Sequence, residues 1–108
     1  MDGVELIAIE RKRQVDDLNW DYTDKELYDN NQLSTAGLVY ALSEEDKSWF
    51  EHEIGINFPK LFWPWNDKYY KPTPKYRVRE LVKAGSLIAA QIDYELNKQK
   101  SDEKDSKE

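Results

Sequence analysis

The chain has 108 residues, of which 35% are charged and 13% aromatic, and its formal net charge is −6. This length suits one domain with a single core, and the aromatic content argues against global disorder. The lack of cysteine excludes disulfides and thiolate metal sites, and the acidic balance argues against binding to duplex DNA. The N-terminal residues lack a basic signal-peptide region, and no apolar run approaches the roughly 20 residues that span a bilayer, so we expect a cytoplasmic protein without membrane contact.

The first predicted helix runs from Val4 to about Asp17. Its core-facing residues are predicted from helical spacing, with two more residues widening the face: Val4, Ile7, Arg11 and Val15, then Leu6 and Ile9. Residues 19–24 are rich in Asn and Asp, which favour turns. We expect Trp20, in this turn, to anchor beneath the first helix.

A second helix is predicted from Thr23 or Asp24 to Leu42, and the Asp and Asn residues at 29–31 allow an interruption. Its second half is the clearer part, because its apolar and small residues follow the spacing of one helical face. Those residues are Leu33, Ala36, Gly37, Tyr40 and Ala41.

Ser43, followed by three acidic residues, predicts the start of a short third helix that ends near Glu53. Trp49 and Phe50 are predicted to form its buried side. The segment 54–65 contains Gly55 and two prolines but is strongly apolar. It is therefore predicted to be an ordered, aromatic-rich loop packed across the helices.

The longest predicted helix runs from Tyr76 to Asn97, about six turns. Its apolar residues form one stripe: Val78, Leu81, Val82, Gly85, Ile88, Ala89, Ile92 and Leu96. The small residues at 84–85 predict a close crossing with those at 36–37. Residues 101–108 have no apolar side chain and predict a disordered tail. The predicted fold is thus all-α, a compact bundle of three to four helices within residues 1–100.

Positive charge is concentrated between Asp67 and Lys83. This segment has six basic and two acidic residues, a net +4, whereas the remainder has ten basic and twenty acidic residues, a net −10. Aromatic rings that can stack on a base alternate here with cations that can meet phosphate. The predicted ligand- or partner-binding residues are Lys68, Tyr69, Tyr70, Lys71, Arg77 and Arg79. A second interpretation, which can coexist with the first, is that Trp63 and Trp65 fill the core and the lysines only solvate the loop.

Several short segments carry distinctive motifs: Glu10–Gln14, Trp20, Gln32–Ala36, Trp63–Trp65, Lys71–Pro72 and Arg79–Asp93. Together they resemble a family of small proteins encoded by bacteriophages and prophages. The pattern of that family is E-R-x-x-Q, a Trp, an E/Q-L-x-x-A helix, W-P-W, K-P and R-x-L-V-K-A-G-x-L-I-x-A-E-I-D. Gln91 stands where the family tends to have Glu, and Lys25–Glu26 where it often has His-Asp.

We therefore expect a non-enzymatic phage accessory protein in the cytoplasm of the bacterial host. Its expected partner is a host protein or a phosphate-bearing, nucleotide-like ligand. No catalytic residue, metal ligand or cofactor is predicted. His52 lies between Glu51 and Glu53 without a nucleophile motif and is expected to be an ordinary exposed histidine.

The enzymatic alternative is a divergent MazG-like nucleoside triphosphate pyrophosphohydrolase. Enzymes of this type hold Mg²⁺ with pairs of acidic residues on two helices, through E-x-x-E and E-x-x-D motifs. The candidate acids here are Glu5, Glu10, Glu26, Asp29, Asp93 and Glu95. No two such motifs lie on two strongly predicted helices, which favours the interpretation that these acids are solvated.

Overall fold

The computed structural model describes residues 1–17 and 28–106, and all its regular elements are helical. The α-helices are α1 (Gly3–Asp16), α2 (Gln32–Ala41), α3 (Glu44–Trp49), α4 (Phe58–Phe62) and α5 (Arg77–Ser106). A π-helical turn, Phe50–Ile54, follows α3, and a 3₁₀ turn, Asp67–Tyr69, precedes α5. No strand occurs within the described ranges, so the predicted all-α class is confirmed.

The starts of the first helices follow their local sequence. The Asp2 carboxylate accepts a hydrogen bond from the Glu5 N–H at 2.9 Å, which caps α1. Asn31 precedes α2 in a left-handed conformation with φ 62°, so the interruption that the sequence allows at this point is present. The predicted helix start at Thr23 or Asp24 and the anchor Trp20 lie outside the described residues.

The core lies mainly between α2 and α5, and α4 and the residue after it complete it. Its buried apolar residues are Leu33, Ala36, Val39, Tyr40, Phe58, Trp63, Ala84, Leu87 and Ala90. A Cβ added to Gly37 would lie 3.1 Å from the carbonyl oxygen of Ala84 and 3.1 Å from Cγ1 of Ile88. The predicted close crossing is therefore present at Gly37. Gly85 does not take part in it, because its own added Cβ would meet Cδ1 of Ile7 in α1 at 2.5 Å.

Side chains of α5 satisfy backbone groups at both ends of α2. Near the start of α2, the Gln91 side-chain oxygen accepts a hydrogen bond from the Ser34 N–H at 3.1 Å. At the other end, the Arg77 guanidinium donates to the carbonyls of Tyr40 and Leu42 at 3.5 and 3.3 Å, and also to Ala41. The two helices therefore run antiparallel, and α5 supplies partners for helix-end groups that α2 cannot satisfy itself.

The face of α5 that is buried differs from the predicted stripe. Val82 of that stripe is buried, but its other large residues are 43–64% exposed: Val78, Leu81, Ile88, Ile92 and Leu96. The buried face consists mostly of small and polar residues: Glu80, Val82, Ala84, Ser86, Leu87, Ala90 and Gln91. The prediction is wrong for the exposed residues because small side chains at Ala84 and Ala90 let α2 approach the backbone closely on another side.

The segment before α5 is more regular than predicted. The Ser43 hydroxyl caps α3 as expected, accepting from the Asp46 N–H at 3.0 Å. Phe50 packs against the core, but Trp49 is exposed, so the prediction of a buried Trp49 is wrong. Residues 54–65 contain the short helix α4 and are not an irregular loop throughout.

The last helix is longer than the sequence pattern predicts. α5 continues beyond Asn97 to Ser106, so the backbone at 101–106 is helical where a disordered tail was expected. The extra turns carry no apolar residue that periodicity could detect, which explains why the pattern stops earlier.

Candidate binding site

Two of the predicted binding residues, Lys68 and Tyr69, lie at the surface in the 3₁₀ turn. Asn66 caps this turn, its side-chain oxygen accepting from the Lys68 N–H at 3.0 Å. The Lys68 ammonium lies 5.0 Å from the centroid of the Tyr69 ring, which is itself half exposed. This cation–π pair leaves both residues accessible to a partner.

Tyr70 instead packs against the core, whereas Lys71 is exposed and only its backbone N–H is bound to a core residue. The Tyr70 ring lies 5.5 Å from that of Tyr40 and 5.0 Å from that of Trp63. Burial raises the pKa of Tyr70 to about 12. The Lys71 N–H donates to the Tyr40 hydroxyl at 2.9 Å. Tyr70 is therefore one ring of an aromatic cluster, with the buried Trp63 at its centre.

Three basic side chains of the positive segment serve internal contacts. Arg77 binds the carbonyls at the end of α2, whereas Arg79 binds Glu10 of α1. The Lys83 ammonium donates to the Lys71 carbonyl, and desolvation lowers the pKa of this lysine. Arg77 therefore binds α2 and Arg79 binds α1, so the two arginines do not meet in one anion site.

Apart from the packing of Ile7 on Gly85, the contact between α1 and α5 is polar. Glu10 is only 3% exposed, and its carboxylate accepts hydrogen bonds at 2.7 Å from both Arg13 and Arg79. Burial alone would raise the pKa of Glu10, but the hydrogen bonds and charges of the two arginines outweigh it and hold that pKa below its ordinary value. An ion cluster therefore fastens α1 to the first turn of α5.

Two further contacts extend this polar interface along α5. The Gln14 amide donates to the Ser86 hydroxyl at 3.0 Å, and Arg11 pairs with Asp93 at 3.2 Å. The E-R-x-x-Q motif at residues 10–14 thus meets the segment 79–93, which the sequence analysis singled out separately. The predicted face of α1 is right at Ile7, which meets Gly85, and at Arg11, which meets Asp93, but wrong at Val4, Ile9 and Val15, which are exposed. Polar partners some 70 residues away bury Glu10 and Gln14 instead.

A groove lies beside the ion cluster, between α1 and the start of α5. Its volume is about 500 Å³, and it is lined by Leu6, Ile9, Glu10, Tyr76, Val78, Arg79 and Val82. Five of these residues are apolar or aromatic, and Arg79 is the predicted binding residue among them. We call this cavity the α1–α5 groove. Sequence reasoning missed this groove because it assigned Leu6, Ile9, Val78 and Val82 to the buried faces of two helices.

Most of the described acidic residues considered as magnesium ligands of a pyrophosphohydrolase have other partners in the structure. Glu10 and Asp93 are paired with arginines, and Asp29 accepts from the Tyr94 hydroxyl at 2.9 Å. Glu26 lies outside the described residues. Among the residues that the structure describes, no three His, Cys, Asp or Glu side chains are grouped to hold a metal ion. His52 is exposed, as expected, and the magnesium-dependent alternative stays a prediction.

No protein-family model, curated protein or solved structure matches this chain. The resemblance to phage and prophage proteins therefore stays a prediction that rests on the motifs quoted above. Within 1–17 and 28–106, no helix combines the length and apolar character needed to cross a bilayer.

Proposed function

We propose that this chain is a non-enzymatic accessory protein of phage or prophage origin that acts by binding a host protein. The observation that carries the proposal is the α1–α5 groove, whose lining combines apolar side chains with the ion pair of Glu10 and Arg79. A protein partner fits better than a phosphate-bearing ligand because the two arginines predicted to hold phosphate point to different helices.

The walls of the groove favour a large apolar side chain as the anchor of the partner. Ile9, Tyr76 and Val78 are each more than half exposed, so covering them would remove apolar surface from water. Such burial contributes about 25 cal/mol per Å². Tyrosine is also among the residues that most often dominate binding energy at protein interfaces.

The charge at the groove favours an acidic group next to that anchor. Glu10 brings one negative charge against the two positive charges of Arg13 and Arg79. The Arg79 side chain is 37% exposed and makes one hydrogen bond to Glu10, although a guanidinium carries five N–H donors. Its remaining donors can meet an Asp or Glu of the partner, and the basic segment would steer such a partner electrostatically.

The test selects a random-peptide library on the folded wild-type chain and measures affinities of the enriched peptides by calorimetry. We expect peptides that place a large apolar residue beside Asp or Glu, with affinity that falls as salt rises. Ile9→Gln should weaken binding by about tenfold or more, because it makes one groove wall polar. Leu61→Gln is the matched control, since Leu61 is also exposed but lies on α4.

Circular dichroism first establishes that both variants fold like the wild type. Enriched peptides without an acidic preference, or with equal affinity for the wild type and Ile9→Gln, would overturn the groove as the binding site. Tight binding of nucleoside triphosphates that is unaffected by Ile9→Gln would instead favour the phosphate-bearing ligand.

A further inference from the structure

Another, smaller cavity lies between α3 with its π-helical turn, the start of α4 and the segment 70–74 that precedes α5. We call this cavity the α3 pocket. Its volume is about 250 Å³. Sites that take drug-sized ligands measure roughly 300–1,000 Å³, so the α3 pocket suits a smaller molecule.

Charge alternates along the wall of the α3 pocket that α3 and its π-helical turn provide. Glu44, Lys47 and Glu51 line the pocket, and steps of three and four residues place them on one side of the helical segment. The Lys47 ammonium lies 3.5 Å from the Glu44 carboxylate. Within 1–17 and 28–106, the Glu51 carboxylate forms no ion pair. The wall therefore presents one cation between two anions, and at least one of these anions can accept a further positive charge.

The cation of the pocket is buried, whereas its acids are exposed. The Lys47 side chain is only 10% exposed, compared with 62% for Glu44. Its ammonium contacts Glu44 at 3.5 Å and the Tyr70 hydroxyl at 3.4 Å, and both distances are long for hydrogen bonds. An ammonium carries three N–H donors, and incomplete hydrogen bonding of a buried charge is costly. The inner part of the pocket therefore favours an anionic acceptor.

The Tyr70 hydroxyl supplies a second donor beside Lys47. Burial raises the pKa of Tyr70 to about 12, so the hydroxyl keeps its proton at neutral pH. It accepts from Lys47, and among the residues that the structure describes its own proton meets no acceptor. Two donors thus stand side by side, as a carboxylate with two oxygens requires.

We propose that the α3 pocket binds a free α-amino acid with an apolar side chain. The carboxylate of this ligand accepts from Lys47 and Tyr70, and its ammonium meets Glu51, one helical turn from Lys47. The apolar side chain lies against Phe58 and Pro59, which also line the pocket. A simple anion would be repelled by the acids and a simple cation by Lys47, so the charges select a ligand that carries both signs.

The first experiment measures binding of leucine, methionine and phenylalanine to the full chain by calorimetry, from about 0.1 to 10 mM, a range that covers weak ligands. N-acetyl-leucine and leucinamide are the matched probes, because each lacks one of the two charges. At least one free amino acid should bind. Each blocked form of leucine should bind at least about tenfold more weakly than leucine, since it loses charge-assisted hydrogen bonds. If no free amino acid bound, or if a blocked form bound as well as leucine, the proposal would be overturned.

The second experiment removes the charges of the pocket one at a time. Glu51→Gln should weaken leucine binding by about tenfold, and Glu53→Gln is its matched control, an exposed acid of the same turn that does not line the pocket. Lys47→Met should also weaken binding, with Lys60→Met on α4 as its control. Circular dichroism establishes that the variants fold. Because Glu51 is exposed, its replacement tests the site even if Lys47→Met unfolds the chain. Equal leucine affinity of Glu51→Gln and Glu53→Gln would contradict the assigned role of Glu51 and overturn the proposal.

This inference is independent of the proposed function, because the α3 pocket and the α1–α5 groove share no lining residue. Peptide affinity should therefore be the same for Glu51→Gln and the wild type.

Discussion

The two helices that pack on α5 are held by different physical means. α2 packs through small and apolar residues, with Gly37 against the Ala84 backbone. α1 is held mainly by an ion cluster around Glu10 and by the hydrogen bond between Gln14 and Ser86, with Ile7 packed against Gly85. Packing depends on shape and is nearly insensitive to pH, whereas an ion cluster depends on the charge of its members.

The two contacts also differ in what lies beside them. At the α2 contact, a Cβ added to Gly37 would lie 3.1 Å from the Ala84 carbonyl oxygen. The α1–α5 groove lies instead beside the ion cluster, and Glu10 and Arg79 of that cluster are among its lining residues. The polar contact is thus the one that borders the candidate site.

The largest effect is expected from Gly37→Leu in the α2 contact. The added side chain would meet a backbone carbonyl that cannot rotate away, so the free energy of unfolding should fall by about 3 kcal/mol. Urea denaturation followed by circular dichroism measures it. An unchanged midpoint would mean that α2 does not approach α5 as closely as described.

The next largest effect is expected from Glu10→Ala in the α1 contact. The variant lacks the carboxylate that Arg13 and Arg79 share. Both arginine side chains are more than one-third exposed, so water can hydrate their charges in its place. We therefore expect a loss of about 2 kcal/mol, below the 3–5 kcal/mol typical of a fully buried pair. If the free energy of unfolding fell as much as in Gly37→Leu, the two contacts would stabilise the fold equally.

The pH dependence should also distinguish the contacts. The pKa of Glu10 is lower in the folded chain than its ordinary value, so Glu10 stabilises the fold above that value and loses this effect as pH falls through its folded pKa. The stability advantage of the wild type over Glu10→Gln should therefore shrink below about pH 4.5. Urea titrations of both proteins from pH 7 to pH 3 measure this difference, and a constant difference would contradict the ionic description.

A smaller effect is expected from Gly85→Ala. The new Cβ would meet the flexible end of the Ile7 side chain, which can rotate, and alanine gains about 1 kcal/mol of helix propensity over glycine. The net change in unfolding free energy should stay within about 1 kcal/mol. Gly37→Ala has the same propensity gain but meets a backbone carbonyl, so it should be the more destabilising of the two in thermal melts.

The smallest effect is expected from deleting residues 101–108. These residues follow Lys98, whose ammonium lies 3.9 Å from Asp29, and they contain no apolar side chain. Both helix contacts lie upstream, so stability should change by less than about 0.5 kcal/mol. A clear drop in melting temperature would show that the end of α5 supports one of these contacts.

The features that local chemistry controls were predictable from the sequence. The Ser43 cap, the limits of α1 and the break before α2 follow from residues that act within a few positions. The close approach at Gly37 was also predictable, because only small residues allow it. The all-α class follows from these elements together.

The buried faces of α1 and α5 were not predictable from periodicity. Glu10 can be buried only because Arg79, distant in sequence, arrives to neutralise it. The candidate site was predicted only in part for the same reason. The positive segment was visible in the sequence, but the acceptors that occupy Arg77 and Lys83 are carbonyls brought close by the fold.

The residues that bind the ends of α2 are synthesised after α2 itself. α2 has only 10 residues, too few for a stable isolated helix, and its end groups are bound by Gln91 and Arg77. Both residues leave the ribosome long after α2 does. A nascent chain that ends before Arg77 therefore lacks the partners that α2 needs. We expect α2 to form only when α5 has emerged, so that the core assembles in one late step.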